Sequence, residues 1–221
     1  MEFSEYVKDK RIVLVGPSPS ILGRGNGPFY ENNDIIVRMN KAVPASPKHS
    51  EDIGSRTDIL YNCLEPSPNS GGAINPVFWK EHGVQWVISS YPYLNFSQHN
   101  IDHFERKNAN NAKLPFRMVE MDLYKKLAQK TKTRPNTGLL AICDLLSFPI
   151  KSLLVTGMTF GKDGYYKEYN DMSLDRYLKM ANGSNHQQYP QFEYFCDLVK
   201  EDERLIPDVV LKEMIYPCKK Q

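Results

Sequence analysis

Arg11-Ile12-Val13-Leu14-Val15-Gly16-Pro17-Ser18-Pro19-Ser20 decides the fold. A short β-branched and aliphatic run, stopped by glycine and a Pro-Ser turn, has the pattern of a strand buried on both faces that feeds a loop. Working outward, the pattern returns in Asp34-Ile35-Ile36-Val37-Arg38-Met39-Asn40, Asp58-Ile59-Leu60-Tyr61, Gln85-Trp86-Val87-Ile88-Ser89-Ser90 and Ser152-Leu153-Leu154-Val155-Thr156-Gly157. Segments 117–132 and 137–147 carry helical spacing, and in the second Leu139, Leu140, Ile142, Leu145 and Leu146 share one face behind Thr137-Gly138. Apolar strands alternating with helices predict an α/β protein with a Rossmann-like, mostly parallel sheet flanked by helices. Ligands of such sheets sit beyond the carboxyl ends of the strands.

The 221 residues, 41% of them hydrophobic, suit one domain over 1–221. A net charge of +2 builds no field able to gather polyanions, so a dedicated nucleic-acid binder is disfavoured. No stretch approaches the roughly 18 apolar residues of a membrane span, and Met1-Glu2-Phe3-Ser4-Glu5 lacks the order of a signal peptide, so a cytoplasmic protein is expected. Cys63, Cys143, Cys196 and Cys218 are scattered without metal-site spacing and read as reduced thiols.

Two stretches, Pro44 to His49 and Glu65 to Pro76, resist regular structure and are expected as surface loops near the site. The Gly16–Ser20 turn can present N–H groups and hydroxyls to a phosphate at a helix N-terminus, with Ser18 and Ser20 carrying more of the work because Pro17 and Pro19 have no N–H. The same residues suit a proline-stiffened turn. Gly23, Gly25 and Gly27 fall too far after the first strand for a dinucleotide fingerprint, and the second strand ends in Arg38-Met39-Asn40 without the acidic residue a NAD site expects. Arg38 could meet a ribose 2′-phosphate, which keeps NADP open. No Asp-x-Asp pair offers the carboxylate clamp for a metal on a sugar diphosphate, and His99 and His103 lack a third ligand and read as a solvated helix or loop. The Phe192-Glu193-Tyr194-Phe195 cluster reads as packing.

Together these segments resemble the eukaryotic-type sialyltransferase family (glycosyltransferase family 29), over roughly residues 11–195. Its large motif is matched by residues 11–20, by Asp34-Ile35-Ile36-Val37-Arg38-Met39-Asn40-Lys41-Ala42 and by Asp52-Ile53-Gly54-Ser55-Arg56-Thr57. Its small motif is similar to Arg134-Pro135-Asn136-Thr137-Gly138-Leu139-Leu140-Ala141 followed by Val155-Thr156-Gly157-Met158. The third motif resembles Tyr165-Tyr166-Lys167-Glu168, and His186 stands where the last motif has its catalytic histidine.

The resemblance implies a variant GT-A-like glycosyltransferase that moves a sialic acid, or a related ulosonic acid such as Kdo, from a CMP-sugar to a glycan or glycolipid hydroxyl, inverting and metal-independent. No cofactor is implied, since the CMP-sugar is the donor substrate. It assigns Gly16, Ser18, Ser20 and Asn40 to the cytidine and phosphate, Thr137 and Gly138 to the donor pocket, Tyr165 or Tyr166 to the leaving phosphate, and His186 as the base.

The chain departs from the family at Pro17, where Asn is usual, and in the spacing from His186 to Glu193, which leaves Glu193 as a solvated helix residue. The places of the secreted members' disulfide, near Val13 and at Phe148 or Pro149, hold no cysteine. A reducing compartment and a bacterial, phage or viral relative are therefore expected. Two rivals stand beside this reading: a non-catalytic CMP- or sugar-binding module, and a nucleotide-dependent enzyme of another class, an NADP oxidoreductase or a phosphotransferase.

Overall fold

Ile12 and Leu14 point to one face of their strand and Val13 and Val15 to the other, and all four are buried. The sheet is therefore covered on both sides. The structure, a computed structural model, describes residues 1–183 and 186–217, with the side chains of 180–183 excepted. Seven strands, β1 (Arg11–Val15), β2 (Ile35–Met39), β3 (Ile59–Asn62), β4 (Trp86–Ser89), β5 (Phe116–Met118), β6 (Ser152–Thr156) and β7 (Leu205–Pro207), form one sheet in the order β5-β4-β3-β2-β1-β6-β7. Every pairing is parallel.

Parallel neighbours need crossovers, and helices supply most of them. In chain order they are α1 (Phe3–Val7), α2 (Gly27–Glu31), α3 (Ser50–Ile53), α4 (Pro76–Glu81), α5 (Gln98–Lys107), α6 (Met121–Thr131), α7 (Thr137–Leu146), α8 (Leu174–Gly183), α9 (Gln188–Glu201) and α10 (Val209–Ile215). Helix α7 is the central one: residues 137–145 are all buried, because it lies between the sheet and its outer helices. Its Asn136 cap accepts the Leu139 N–H at 2.9 Å, which fixes where the helix starts. Buried Asp144 receives both Arg117 guanidinium nitrogens, at 2.6 and 3.0 Å, and the Tyr61 hydroxyl at 2.6 Å, tying α7 to β5 and β3.

The helical reading of 117–132 is corrected at its start. Phe116, Arg117 and Met118 pair with Val87, Ile88 and Ser89 as an edge strand, and α6 begins only at Met121. Three residues are too few to show a strand period, and Arg117 is held by Asp144 rather than by helical neighbours. Residues 65–75 form the expected loop, pinned where Asn62 donates to the Gly71 carbonyl at 3.1 Å. The Pro44–His49 stretch is a second correction: it ends in a 3₁₀ turn, Pro47–His49, whose His49 pairs with Glu168 at 2.8 Å away from the cavity described below. His99 and His103 lie on α5, Glu193 is exposed on α9, and Phe195 is core, each as its sequence suggests. Cys63, Cys143 and Cys196 are free thiols, and Cys218 lies outside the described residues. Among the described residues no helix is long and apolar enough to cross a membrane.

Candidate active site

Strand β1 has β2 on one side and β6 on the other, so the loops leaving β1 and β6 diverge where the strand order reverses. Such a switch point opens a crevice at the carboxyl edge of the sheet. The two loops touch before they part: the Gly16 N–H donates to the Thr156 carbonyl and the Ser18 N–H to the Gly157 carbonyl, both at 2.8 Å. A Cβ on Gly16 would collide with the Gly157 carbonyl oxygen, and Gly157 itself takes a positive φ of 63°. Beyond this contact lies a cavity of about 370 Å³, a size suited to a small-molecule ligand.

Four groups of residues wall it. Pro17, Ser18, Met158 and Thr159 come from the diverging loops. Asn40, Cys63, Glu65 and Ser70 come from the ends of β2 and β3 and the 65–75 loop. Arg134, Asn136, Thr137 and Gly138 bring the N-terminus of α7, whose macrodipole favours an anion. Tyr165, Tyr169 and Tyr177 close the remaining side, with ring centroids 5.1 Å apart between Tyr165 and Tyr169 and 4.8 Å between Tyr165 and Tyr177. Burial raises the Tyr165 hydroxyl above its ordinary pKa, so it is a protonated donor at neutral pH.

His186 enters the same cavity through paired contacts with Arg134. Its Nδ1 lies 2.7 Å from the Arg134 carbonyl, so Nδ1 carries the proton and Nε2 is the basic nitrogen. Nε2 accepts from the Arg134 guanidinium, from Nη2 at 2.7 Å and Nε at 3.1 Å. Burial first, and the Arg134 charge second, bring the imidazole down from 6.5 to about 4, so it is neutral at pH 7. The guanidinium also lies over the rings of Phe96 and Tyr91, 4.9 and 5.5 Å from their centroids.

Of the residues singled out in the sequence, Ser18, Asn40, Thr137, Gly138, Tyr165 and His186 meet on this cavity, and Gly16, Ser20 and Tyr166 do not. Gly16 serves the close approach of β1 and β6. Ser20 lies behind Ser18, its hydroxyl 2.9 Å from the Ser18 hydroxyl. Tyr166 is buried in the cluster that holds Ile21 and Tyr30, its ring 5.5 Å from that of His49. No regular helix follows the Gly16–Ser20 turn, only the 3₁₀ turn Pro19–Ile21, whose Ser20 N–H is already taken by the Ser18 hydroxyl at 3.2 Å. The anion-receptive helix end belongs to α7 instead.

Arg38 is also corrected. It is 1% exposed and donates to the carbonyls of Ile53 at 2.6 Å and Arg56 at 3.1 Å, bracing β2 against the 53–56 turn, so the NADP reading loses its residue. The glycines at 23 and 25 are likewise structural, since the Arg24 and Gly25 N–H groups both donate to Asp52 at 2.8 Å. Sequence reasoning missed Arg134, Tyr169 and Gln188 as wall residues. Arg134 heads the Arg-Pro-Asn-Thr-Gly string, which was the available signal.

An all-parallel α/β sheet with a cavity at its switch point, entered by a helix N-terminus and a neutral histidine, defines a Rossmann-like protein with room for a small ligand. No family model matches the chain. In sequence it is similar to the mouse (Mus musculus) CMP-N-acetylneuraminate-beta-galactosamide-alpha-2,3-sialyltransferase 1, at 32% identity over 83 residues. That match takes in 37% of this chain and about a quarter (24%) of the mouse protein. In structure it is similar to a mammalian sialyltransferase crystal structure, with TM-score 0.59 and 16% identity over 92% of this chain and 70% of the other. A mammalian sialyltransferase in complex with Gal-beta-1-3GalNAc-ortho-nitrophenol aligns with TM-score 0.57, at 16% identity over 93% and 71% of the two chains. The fold is the α/β fold of these sialyltransferases.

Proposed function

We propose that this chain is a sialyltransferase-like enzyme that transfers a sialic acid, or a related ulosonic acid such as Kdo, from a CMP-sugar to a glycan or glycolipid hydroxyl, with inversion and without a metal ion. The observation that carries this reading is a neutral imidazole, His186, on the same cavity wall system as Ser18, Asn40, Thr137 and Gly138. A fixed Nδ1–H leaves Nε2 to take the proton of the acceptor hydroxyl as that oxygen attacks the anomeric carbon. The bond to the CMP phosphate breaks with its electron pair going to phosphate. In this reading the Tyr165 hydroxyl and the N-terminus of α7, both on the cavity wall, stabilise that charge. CMP leaves as a monophosphate, so its departure requires no diphosphate clamp. The free thiols support work in a reducing compartment, the cytoplasm.

Titration calorimetry with CMP, UDP, GDP and NADP tests the site, and product analysis with CMP-sialic acid and CMP-Kdo tests the reaction. CMP is expected to bind selectively and one of the two sugars to be transferred. Preference for another nucleotide would overturn the reading. Selective CMP binding with no transfer would favour a non-catalytic module.

A further inference from the structure

The guanidinium of Arg134 occupies the one imidazole nitrogen that could accept a proton. Among the described residues it has no carboxylate within ion-pair distance, and it faces a cavity whose α7 end favours anions. A neutral imidazole is a weaker partner for a guanidinium than a phosphate or carboxylate oxygen, which adds charge to the hydrogen bond. Resting on the proposed function, we propose that Arg134 is a donor-sensing positioning residue: an anionic oxygen group of the bound donor draws its guanidinium off His186 Nε2 and so exposes the base only when the donor is in place.

The arrangement has a use. A base capped until the donor arrives holds the acceptor's proton-transfer path closed in the empty site. The Arg134 carbonyl contact on Nδ1 comes from the backbone and survives movement of the side chain, so the ring keeps its tautomer while Nε2 is released. Tyr91 and Phe96, an edge-to-face pair with centroids 5.2 Å apart, hold the guanidinium by cation–π contact on both rings, so it keeps apolar contact when its hydrogen bonds to Nε2 are exchanged. The groups that sense the Arg134 charge are the Tyr91 and Tyr124 hydroxyls, the Cys63 thiol and His186, and the Glu65 carboxylate acts on two of them, Tyr91 and Cys63.

Removal of the cap is readable directly as the titration of His186 by NMR in the full chain, alone and with CMP, with free sialic acid or with inorganic phosphate. CMP supplies a phosphate and sialic acid a carboxylate, so the two arms show which anion moves Arg134. The expected result is a His186 midpoint near 4 in the free protein that rises by about one unit or more with at least one anion. In Arg134→Gln the free protein should start from the raised midpoint and respond little, while Arg134→Lys should respond in part. CMP that binds by calorimetry while neither anion moves the midpoint would overturn the coupling and leave the transferase reading standing. No binding of CMP, with a shift caused by phosphate, would overturn the nucleotide reading and keep the coupling. A midpoint unchanged by every anion, or an Arg134→Gln variant that responds as the wild type does, overturns the proposal.

Discussion

Asn40 takes a left-handed backbone, φ 54°, at the end of β2, a conformation that Asn accepts more readily than most residues. Its N–H donates to the Tyr61 carbonyl at 2.7 Å and its side-chain oxygen accepts the Cys63 N–H at 3.0 Å, so it ties two strand ends together as well as facing the cavity. Asn40→Ala should therefore weaken CMP binding by roughly 2- to 13-fold, the equivalent of a hydrogen bond worth 0.5–1.5 kcal/mol, and lower stability by a similar amount. Calorimetry and urea unfolding read the two effects separately; CMP affinity equal to wild type would remove Asn40 from the ligand site. His186→Ala acts on the acceptor side, so it should abolish transfer while CMP binds within a few fold of wild type, and retained turnover would end its assignment as the base. Ser18 could be read from the turn after β1, whereas Asn40, Thr137 and Gly138 came as wall residues only through the resemblance of their strings to the family motifs. The Arg134–His186 contact joins residues 52 apart with α7, β6 and α8 between them, and no local pattern announces it.

Two glycines, Gly16 at the β1–β6 crossing and Gly138 on the cavity wall, separate backbone approach from cavity shape. A Cβ on Gly16 meets the carbonyl of Gly157, which belongs to the β1–β6 crossing and cannot move aside, so Gly16→Ala should cost about 1–3 kcal/mol in urea unfolding. A Cβ on Gly138 meets the terminal methyl of Met158, a flexible group, so Gly138→Ala should leave stability within about 1 kcal/mol while pushing Met158 into the cavity and weakening CMP binding. If both variants lost stability equally, the α7 start would be as rigid as the strand crossing. The strands β1 to β4, β6 and helix α7 could be read from sequence because burial on both faces leaves unbroken apolar runs. Strand β5 could not, since its identity rests on Arg117 reaching Asp144 and on pairing with β4. That buried pair carries its own expectation: Asp144→Ala leaves Arg117 and the Tyr61 hydroxyl without their acceptor and should destabilise the protein by about 3–5 kcal/mol.

At the scale of the whole molecule the capped histidine becomes a stability term. The folded His186 titrates near 4 and an unfolded histidine near its ordinary 6.5, so between those values the unfolded chain binds a proton that the folded one refuses. Stability is therefore full above about pH 6.5 and falls as pH drops toward 4, by at most about 3–4 kcal/mol for a midpoint lowered from 6.5 to about 4. The Glu168 carboxyl, held down to about 2 by Lys48 and His49, changes only at lower pH, from its ordinary value of 4.5 downward, so the loss between 6.5 and 4.5 belongs largely to His186. His186→Gln removes the titrating ring and should flatten that part of the curve in urea unfolding at a series of pH values. Arg134→Gln removes the second cause of the lowered midpoint and should flatten it in part. Saturating CMP, by drawing Arg134 away, should make the wild-type slope shallower in the same window. An acid slope that persists unchanged in His186→Gln would place the sensitive group elsewhere in the fold, and a slope indifferent to CMP would mean that the guanidinium stays on the imidazole with the nucleotide bound.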